Sequence, residues 1–248
     1  MPGRTWLWAY TLIDKAKDRL EMTEIFDDWP EKYDRWFETP IGRLIKKYES
    51  QLVLEMLRPG QGERIMDAGC GSGVFTLDVL TAGAQVVGLE LSFPMLRRAG
   101  RKLLGHLFHM VRGDMRWLPF DDNAFDKTVS VTAIEFIVEA TTAISELFRV
   151  TKPGGSIVVS TLNSLSPWAD RRKAKGKEGH SVFEHAFFRS PDELLNLSPV
   201  EGAVKTAIHF QKHDNPEDAK RIEKNGQLKG LVTGAFVVAR WEKPAEIR

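Results

Sequence analysis

The feature that most constrains this chain is a glycine-rich turn directly after a short apolar stretch. Residues 65–73 read IMDAGCGSG. The apolar residues and the aspartate are typical of the end of a buried parallel strand, and a helical pattern runs from Val74 to about Thr81. Such a turn brings backbone N–H groups at a helix N-terminus close to a ligand, and it needs glycine because a Cβ would block the turn or the ligand. The stretch therefore predicts a ligand-binding turn in an α/β fold.

The spacing of the glycines distinguishes two kinds of ligand-binding turn. The dinucleotide fingerprint is G-x-G-x-x-G. Gly69 and Gly71 fit its first two places, but Val74 stands where the third glycine belongs. The chain has G-x-G-x-G instead, with Asp67 two residues ahead of it. A nicotinamide-dependent dehydrogenase is therefore the least supported interpretation.

Residues 67–73 resemble motif I of the class I S-adenosylmethionine (SAM) dependent methyltransferases, in the D-x-G-C-G-S/T-G form of their small-molecule branch. This branch, methyltransferase type 11, includes the ubiquinone and menaquinone C-methyltransferases. The resemblance implies a transferase that uses SAM as its cofactor, releases S-adenosylhomocysteine (SAH) and needs no metal. It implies that five residues of the motif bind the cofactor, namely Asp67, Gly69, Cys70, Gly71 and Gly73.

Further stretches match the same family in the same order along the chain. Glu90 ends the second predicted strand, about 20 residues after the glycines, where an acid can accept hydrogen bonds from both hydroxyls of a ribose. The resemblance assigns Glu90 to the SAM ribose and implies that the adjacent Leu91 also binds the cofactor. It assigns Asp114 to the adenine amine and Met115 to the face of the adenine ring. Two more matches, residues 118–126 and 147–155, resemble turns that precede strands and have a structural role. In the second match, Gly154 and Gly155 follow the end of a predicted helix and are expected to cap it.

Strands and helices alternate from residue 64 onwards, which predicts βαβ units and a parallel sheet. Residues 163–189 lack a clear period, as is typical of a functional or mobile segment. The resemblance implies an α/β, Rossmann-like, seven-stranded and mostly parallel sheet with the order 3-2-1-4-5-7-6, strand 7 antiparallel and helices on both faces. We expect an N-terminal helical cap at residues 1–60 and a SAM-binding domain at residues 61–248, together in one compact unit.

The N-terminal region is rich in aromatic and charged side chains. Residues 6–13 are apolar and are followed by charges, which predicts an amphipathic helix that docks on the domain, on a second subunit or on a membrane surface. Thr39 and Pro40 end one helix, and residues 41–57 predict another. In methyltransferases that resemble this chain, such a region covers the SAM pocket. We expect Tyr33 either to lie over the cofactor or to serve only in packing.

Composition and charge exclude several classes of protein. The formal net charge of +1 gives no argument for nucleic acid or an acidic membrane as a partner. Cys70 is the only cysteine, so no internal disulfide can form. No apolar run reaches the roughly 20 residues needed to span a bilayer, and residues 6–13 lack the cleavage site of a signal peptide. We expect a cytoplasmic protein without a transmembrane segment, either a monomer or a homodimer.

The residues specify the methyl acceptor less well than the cofactor. Nucleobase amino-methyltransferases carry D/N-P-P-F/Y after the fourth strand, whereas this chain has VTAIEF at residues 131–136. Glu135 either lines the pocket or caps the next helix. His180 and His185, in the segment after the fifth strand, are candidate general bases. The basic run at residues 171–177 is either a solvated lid or a surface that recruits RNA or protein.

These observations predict a SAM-dependent methyltransferase that acts on a small molecule by in-line displacement, a reaction in which orientation supplies much of the rate. Two alternatives stay open. One is a module that binds SAM or SAH without methyl transfer. The other is an RNA or protein methyltransferase recruited through the basic run, although nucleic acid is disfavoured as a partner.

Overall fold

The computed structural model describes residues 26–27, 29–177 and 182–245, and the strands in these ranges form one central sheet. The strands are β1 Arg64–Ala68, β2 Gln85–Glu90, β3 Phe108–Arg112, β4 Phe125–Val131, β5 Thr151–Leu162, β6 Gly202–Ala207 and β7 Phe236–Glu242. Their order across the sheet is β3-β2-β1-β4-β5-β7-β6. The predicted order of the seven strands is therefore confirmed.

The direction of the strands places the ligand-binding edge of the sheet. β1 pairs in parallel with β2 on one side and with β4 on the other. β7 runs antiparallel to both of its neighbours, as predicted. Asp67, near the end of β1, lies opposite Gly88 and Val129. The order of the strands reverses at β1, so a crevice opens at the carboxyl ends of the strands beside it.

Helices cover both faces of the sheet. They are α1 Pro30–Glu38, α2 Pro40–Leu57, α3 Thr76–Thr81, α4 Phe93–Lys102, α5 Ala140–Val150, α6 Pro167–Lys177, α7 Pro191–Leu195 and α8 Pro216–Leu228. Successive strand residues point to opposite faces. Ile65 therefore joins the core that includes α2 and α3, and Met66 joins the core that includes α5. In the described part of the chain, no helix is long and apolar enough to cross a membrane.

Two segments contain helices that the sequence did not predict. The segment 163–189 contains α6 and a 3-10 turn at Val182–His185. The polar stretch at residues 212–229 contains α8. The Asn215 side chain accepts hydrogen bonds from the N–H groups of Glu217 and Asp218 at 3.1 and 2.9 Å, and Pro216 occupies the first turn. A local capping signal therefore begins α8, although its composition is polar.

The glycines after α5 do not cap that helix, which corrects the prediction. α5 ends at Val150, and the next residue, Thr151, has extended backbone and begins β5. The N–H of Gly154 donates to the carbonyl of Lys243 at 2.8 Å. Because Lys243 directly follows β7, this contact draws the turn into the edge of the sheet.

A buried histidine–glutamate pair attaches α8 to the end of β6. Nδ1 of His209 lies 3.1 Å from Oε2 of Glu223, and the same carboxylate accepts the N–H groups of Ile208 and His209 at 3.1 and 2.7 Å. Ile208 has a φ of 67°, which is strained for a β-branched residue. Burial disfavours the charged forms of both side chains, but the hydrogen bonds that His209 and Glu223 form favour those charged forms more strongly. The pKa of His209 is therefore raised and that of Glu223 lowered.

We expect this pair to stabilise the fold most between about pH 4.5 and 6.5, the ordinary pKa values of its two groups. A raised histidine pKa stabilises the fold at low pH, and this contribution is lost as pH rises through the folded value. A lowered glutamate pKa stabilises it at higher pH, and this contribution is lost as pH falls through the folded value. Glu223→Gln should lower the free energy of unfolding in this window by about 1–3 kcal/mol, as measured by urea denaturation.

The matched control is Glu217→Gln, on the same helix, because the Glu217 side chain is 83% exposed and forms only a surface ion pair. It should leave stability unchanged within error at every pH. A loss in Glu223→Gln that is the same from pH 4 to pH 9 would show that burial alone, and not the charged pair, accounts for the effect.

Candidate functional site

A cavity of about 660 Å³ opens at the carboxyl ends of β1, β2 and β4, beneath α1. Its walls differ in chemistry, and we name them as two halves. The loop half is lined by Asp67, Gly69, Cys70, Gly71, Glu90, Leu91, Asp114 and Met115. The acidic half is lined by Tyr33, Trp36, Glu49, Thr132, Glu135, Trp168, Arg172 and Phe183.

The loop half is shaped by the backbone of the glycine turn. Gly69 has a φ of 77°, and a Cβ at this position would lie 2.5 Å from the Cβ of Ala133. The N–H groups of Gly69 and Cys70 donate to the carbonyl of Leu89 at 2.7 and 3.1 Å, so the turn is attached to β2. Burial raises the pKa of the Cys70 thiol, which favours a packing role over a reactive one.

Two buried carboxylates lie behind this turn. The hydroxyl of Thr76 donates to Asp67 at 2.6 Å, and burial raises the pKa of Asp67 to about 7. Oε2 of Glu90 accepts the N–H of Gly71 at 2.9 Å, and Oε1 accepts the N–H of Ser92 at 2.8 Å. Burial raises the pKa of Glu90 as well. Each carboxylate oxygen has a second lone pair, so Glu90 can also accept bonds from two ligand hydroxyls.

Asp114 and Met115 follow β3 at the edge of the loop half, and both are buried. The Asp114 carboxylate accepts a bond from Nη2 of Arg116 at 2.8 Å and another from the Arg116 backbone N–H at 2.9 Å. The sequence predicted only a ligand amine as its partner. The ion pair holds the carboxylate in a fixed orientation on the cavity wall, beside the Met115 side chain.

The helix α1 is tied to the glycine turn through Asp34. The Ser72 hydroxyl and the Lys102 ammonium donate to Oδ1 of Asp34 at 2.7 and 2.9 Å, and Arg98 pairs with Oδ2. Burial alone would raise the pKa of Asp34, but these contacts outweigh it and hold that pKa below its usual range. This set of contacts, which we call the Asp34 latch, closes α1 over the cavity.

Tyr33 reaches the cavity from the residue next to the latch. Its ring meets Phe37 edge to face at 5.2 Å, and the side chain of Thr132 lies near its hydroxyl. Burial and the nearby Glu49 raise the pKa of Tyr33, so the phenol stays neutral. Thr132 has a φ of 50° and donates its N–H to Oγ of Ser160 at 3.2 Å. Backbone strain of this kind is common where a site imposes a geometry.

Three charged side chains converge in the acidic half. Glu49 on α2 and Glu135 in the 3-10 turn Ile134–Phe136 are only 7% and 1% exposed. Burial raises the pKa of Glu49 to about 8 and that of Glu135 to about 7. Burial lowers the pKa of Arg172 on α6, while both glutamates oppose that effect. Its guanidinium lies 5.2 Å from the centre of the Trp168 ring.

The sequence did not identify Glu49 or Arg172 as site residues, although each carries a signal. Glu49 lies four residues after Ile45 and four before Val53, so it is an acid within the apolar stripe of a helix. Arg172 lies four residues after Trp168 and shares its helix face. It belongs to the basic run that the sequence assigned to solvent or to a recruiting surface, and the structure turns it inward.

Some of the predicted site residues lie elsewhere. Gly73 is absent from the cavity wall, and a Cβ there would lie 2.9 Å from Leu103, so its small size serves packing. His185 is exposed and away from the wall. His180 and the aromatic residues 6–13 fall outside the described residues. Within the described ranges, no group of three or more His, Cys, Asp or Glu residues is arranged to hold a metal.

Comparisons with known sequences agree with this geometry. Residues 66–159 match a family described as a methyltransferase domain. The chain is 36% identical over 206 residues to malonyl-acyl-carrier-protein O-methyltransferase of Pseudescherichia vulneris, covering 71% of this chain and 81% of that protein. It is 32% identical over 148 residues to demethylmenaquinone methyltransferase of Renibacterium salmoninarum, 60% of each. Matches to two Erwinia malonyl-acyl-carrier-protein O-methyltransferases span only 43% and 41% of those proteins.

A solved structure extends the similarity to most of the fold. It is a Thermotoga maritima protein described as a SAM-dependent methyltransferase and possible histamine N-methyltransferase. The TM-score is 0.72 at 26% identity, covering 90% of this chain and 99% of that one. The chain belongs to the SAM-dependent methyltransferases that carry this methyltransferase domain. It is therefore an enzyme of a family whose members use SAM as the methyl donor.

We expect the Asp34 latch to retain the cofactor. Asp34→Asn removes the charge that Arg98 and Lys102 share, so α1 should open more often and SAH should dissociate faster. The affinity for SAH should fall about tenfold, mainly through the dissociation rate, as measured by stopped-flow fluorescence of the tryptophans.

Glu31→Gln is the matched control, because Glu31 lies on the same helix in an exposed pair with Arg35. Its SAH affinity should equal that of the wild type. A slower association rate with an unchanged dissociation rate in Asp34→Asn would contradict the role of the latch.

Proposed function

We propose that this enzyme transfers the methyl group of SAM to a small molecule by in-line displacement and releases SAH. The observation that carries the proposal is the cavity itself, in which the loop half and the acidic half form one continuous space. A cofactor in the loop half would point its reactive end at an acceptor in the acidic half. The names of the relatives cover both malonyl-acyl-carrier protein and demethylmenaquinone, so the family leaves the acceptor open.

The residues of the loop half fit the cofactor. A Cβ at Gly69 would fill the space beside Ala133, so the bare backbone leaves room for a ligand to approach. Glu90 offers free lone pairs to two ribose hydroxyls. We infer that the cofactor-binding residues are those predicted from the sequence that line the cavity, namely Asp67, Gly69, Cys70, Gly71, Glu90, Leu91, Asp114, Met115 and Tyr33.

The chain's own residues supply position and exclusion of water. SAM contributes a methyl group on a sulfonium, which needs no further activation by the protein. Holding the acceptor in line with the breaking bond can supply several kcal/mol. The Asp34 latch closes α1, which lies within the cap that we propose for residues 1–60. Glu135, with a pKa near 7, can take a proton from an acceptor that must lose one.

The alternative of an RNA or protein methyltransferase loses its main support. That alternative depended on the basic run at residues 171–177. Arg171 and Arg172 line the cavity, and Lys173 is the other cation of the run whose side chain the structure describes; it is exposed. The described part of the run therefore gives no basic surface for a macromolecule, so we retain a small molecule as the acceptor.

We expect Glu90→Ala to weaken SAM binding at least tenfold, because the variant loses bonds to the ribose and two bonds that position the turn. Isothermal titration calorimetry with SAM and SAH measures the effect, and NAD serves as a ligand that should not bind. Thermal melting of each variant verifies that the fold is intact.

The matched control is Glu242→Ala, since Glu242 is also the last residue of a strand, β7, and its side chain is 66% exposed. It should bind SAM as the wild type does. An unchanged SAM affinity in Glu90→Ala would exclude Glu90 from the cofactor site.

A further inference from the structure

The acidic half holds a carboxylate that has no hydrogen-bond partner among the described residues. Glu49 is 7% exposed and lines the cavity, yet no described residue forms a hydrogen bond or an ion pair within 4 Å with its side chain. A buried carboxylate without partners is costly. Glu49 lies one helix turn from Lys46, but that ammonium is bound to Asp78 at 2.5 Å. The carboxylate is therefore placed for a group that the described residues do not supply.

A second carboxylate and two guanidinium groups complete the surroundings. Glu135 accepts one long hydrogen bond, 3.3 Å from Oγ1 of Thr161. Arg172 lies close enough to influence both glutamates, and its Nη1 is buried with no hydrogen-bond partner in the described residues. Arg189 also influences Glu135. Two guanidinium groups therefore compensate the charge of Glu135, whereas Glu49 has Arg172 and a lysine that is already bound to Asp78.

Aromatic rings line the acidic half around Glu49. They are those of Tyr33, Trp36, Trp168 and Phe183. The guanidinium of Arg172 lies 5.2 and 5.5 Å from the ring centres of Trp168 and Phe183, and the ammonium of Lys212 lies 5.0 Å from that of Trp36. Aromatic faces attract cations and repel anions. A buried carboxylate among aromatic rings is suited to a ligand group that carries one positive charge.

We propose that the methyl acceptor is an amine whose protonated nitrogen enters the acidic half between Glu49 and Glu135. The proposal rests on the proposed function and names the class of acceptor. An acceptor carboxylate placed between the two glutamates would be repelled by both. A neutral apolar acceptor would leave the Glu49 carboxylate without a hydrogen-bond partner among the described residues.

The chemistry balances with the groups present. The ammonium gives one proton to a glutamate carboxylate, which exposes the lone pair of the nitrogen. That lone pair forms the new N–C bond, the S–C bond breaks, and its electron pair stays on the sulfur. The products are a methylated ammonium and SAH, and no oxidant or further reactant is needed.

Entry of a cation should release protons from the site. Burial raises the pKa values of Glu49 and Glu135 to about 8 and about 7, so both are partly protonated at neutral pH. An ammonium between them favours the ionised forms. The charged or titratable groups that face the two glutamates are Arg172 from α6, Lys46 from α2, Tyr33 from α1 and Arg189, which donates to the carbonyl of Ile134.

The test uses the whole chain saturated with SAH. The probes are three small molecules of similar shape that differ in their functional group. These are 2-phenylethylamine, 2-phenylethanol and 3-phenylpropionate, titrated by calorimetry at pH 7 in two buffers of different ionisation enthalpy. We expect the amine to bind at least tenfold more tightly than the alcohol or the acid and to release protons as it binds. With SAM in place of SAH, only the amine should produce SAH and the N-methyl product in mass spectrometry.

Substitutions test whether Glu49 is responsible for amine binding and for the release of protons. Glu49→Gln should weaken amine binding at least tenfold and reduce the proton release, while its SAH affinity stays within twofold of the wild type. The matched control is Glu55→Gln, on the same helix, since Glu55 is 55% exposed in a surface pair with Lys205. It should behave as the wild type does. If Glu49→Gln fails to fold, proton release in the wild type still tests the proposal.

Several outcomes would overturn the proposal while leaving the proposed function intact. They are preferred binding or methylation of the acid or the alcohol, amine binding without proton release, and equal amine affinity in Glu49→Gln and the wild type. The proposal is also overturned if the SAH-saturated enzyme does not bind the amine at millimolar concentration. Failure of the wild type to bind SAM or SAH would instead contradict the proposed function.

Discussion

The contact on which the site depends is the Glu90 carboxylate. One oxygen accepts the N–H of Gly71 in the glycine turn, and the other accepts the N–H of Ser92 at the start of α4. Because β2 ends at Glu90, a single side chain fixes the sheet, the turn and a helix relative to one another. These two bonds offset part of the cost of burying the charge. The loop half of the cavity is therefore organised by the protein itself.

The cap is built on this arrangement. Asp34 reaches Ser72 in the turn and two cations on α4, and both elements hold their positions because Glu90 ties them to β2. With α1 fixed in this way, Tyr33 can meet Thr132 at the end of β4. The two halves of the cavity thus share one set of supports, although their chemistry differs. One half is backbone and hydrogen-bonding acids, and the other is aromatic rings around partly unpaired charge.

Sequence reasoning worked where the signal is local. The positions of Asp67 and Glu90 follow from apolar stretches that end in an acid or a glycine turn. It failed for α6, because this helix is rich in charged residues and shows no apolar period. It also failed for the glycines after α5, since the turn there is held by hydrogen bonds to Lys243, far along the chain. His185 was a candidate base by residue type, but in the structure it is exposed and is not part of the cavity lining.

The sequence by itself determined the class of enzyme and, through the family that it resembles, the order of the strands, and it predicted the residues that line the loop half. It could do so because a glycine turn and the acids near strand ends are properties of a few adjacent residues. Only the tertiary structure showed which residues come together in the acidic half. Glu49, Glu135 and Arg172 come from separate helices and turns, and each is an ordinary charged residue on its own. Their burial, their altered pKa values and the unpaired charge arise from packing these elements around one cavity, because desolvation and mutual electrostatic fields exist only in the folded chain.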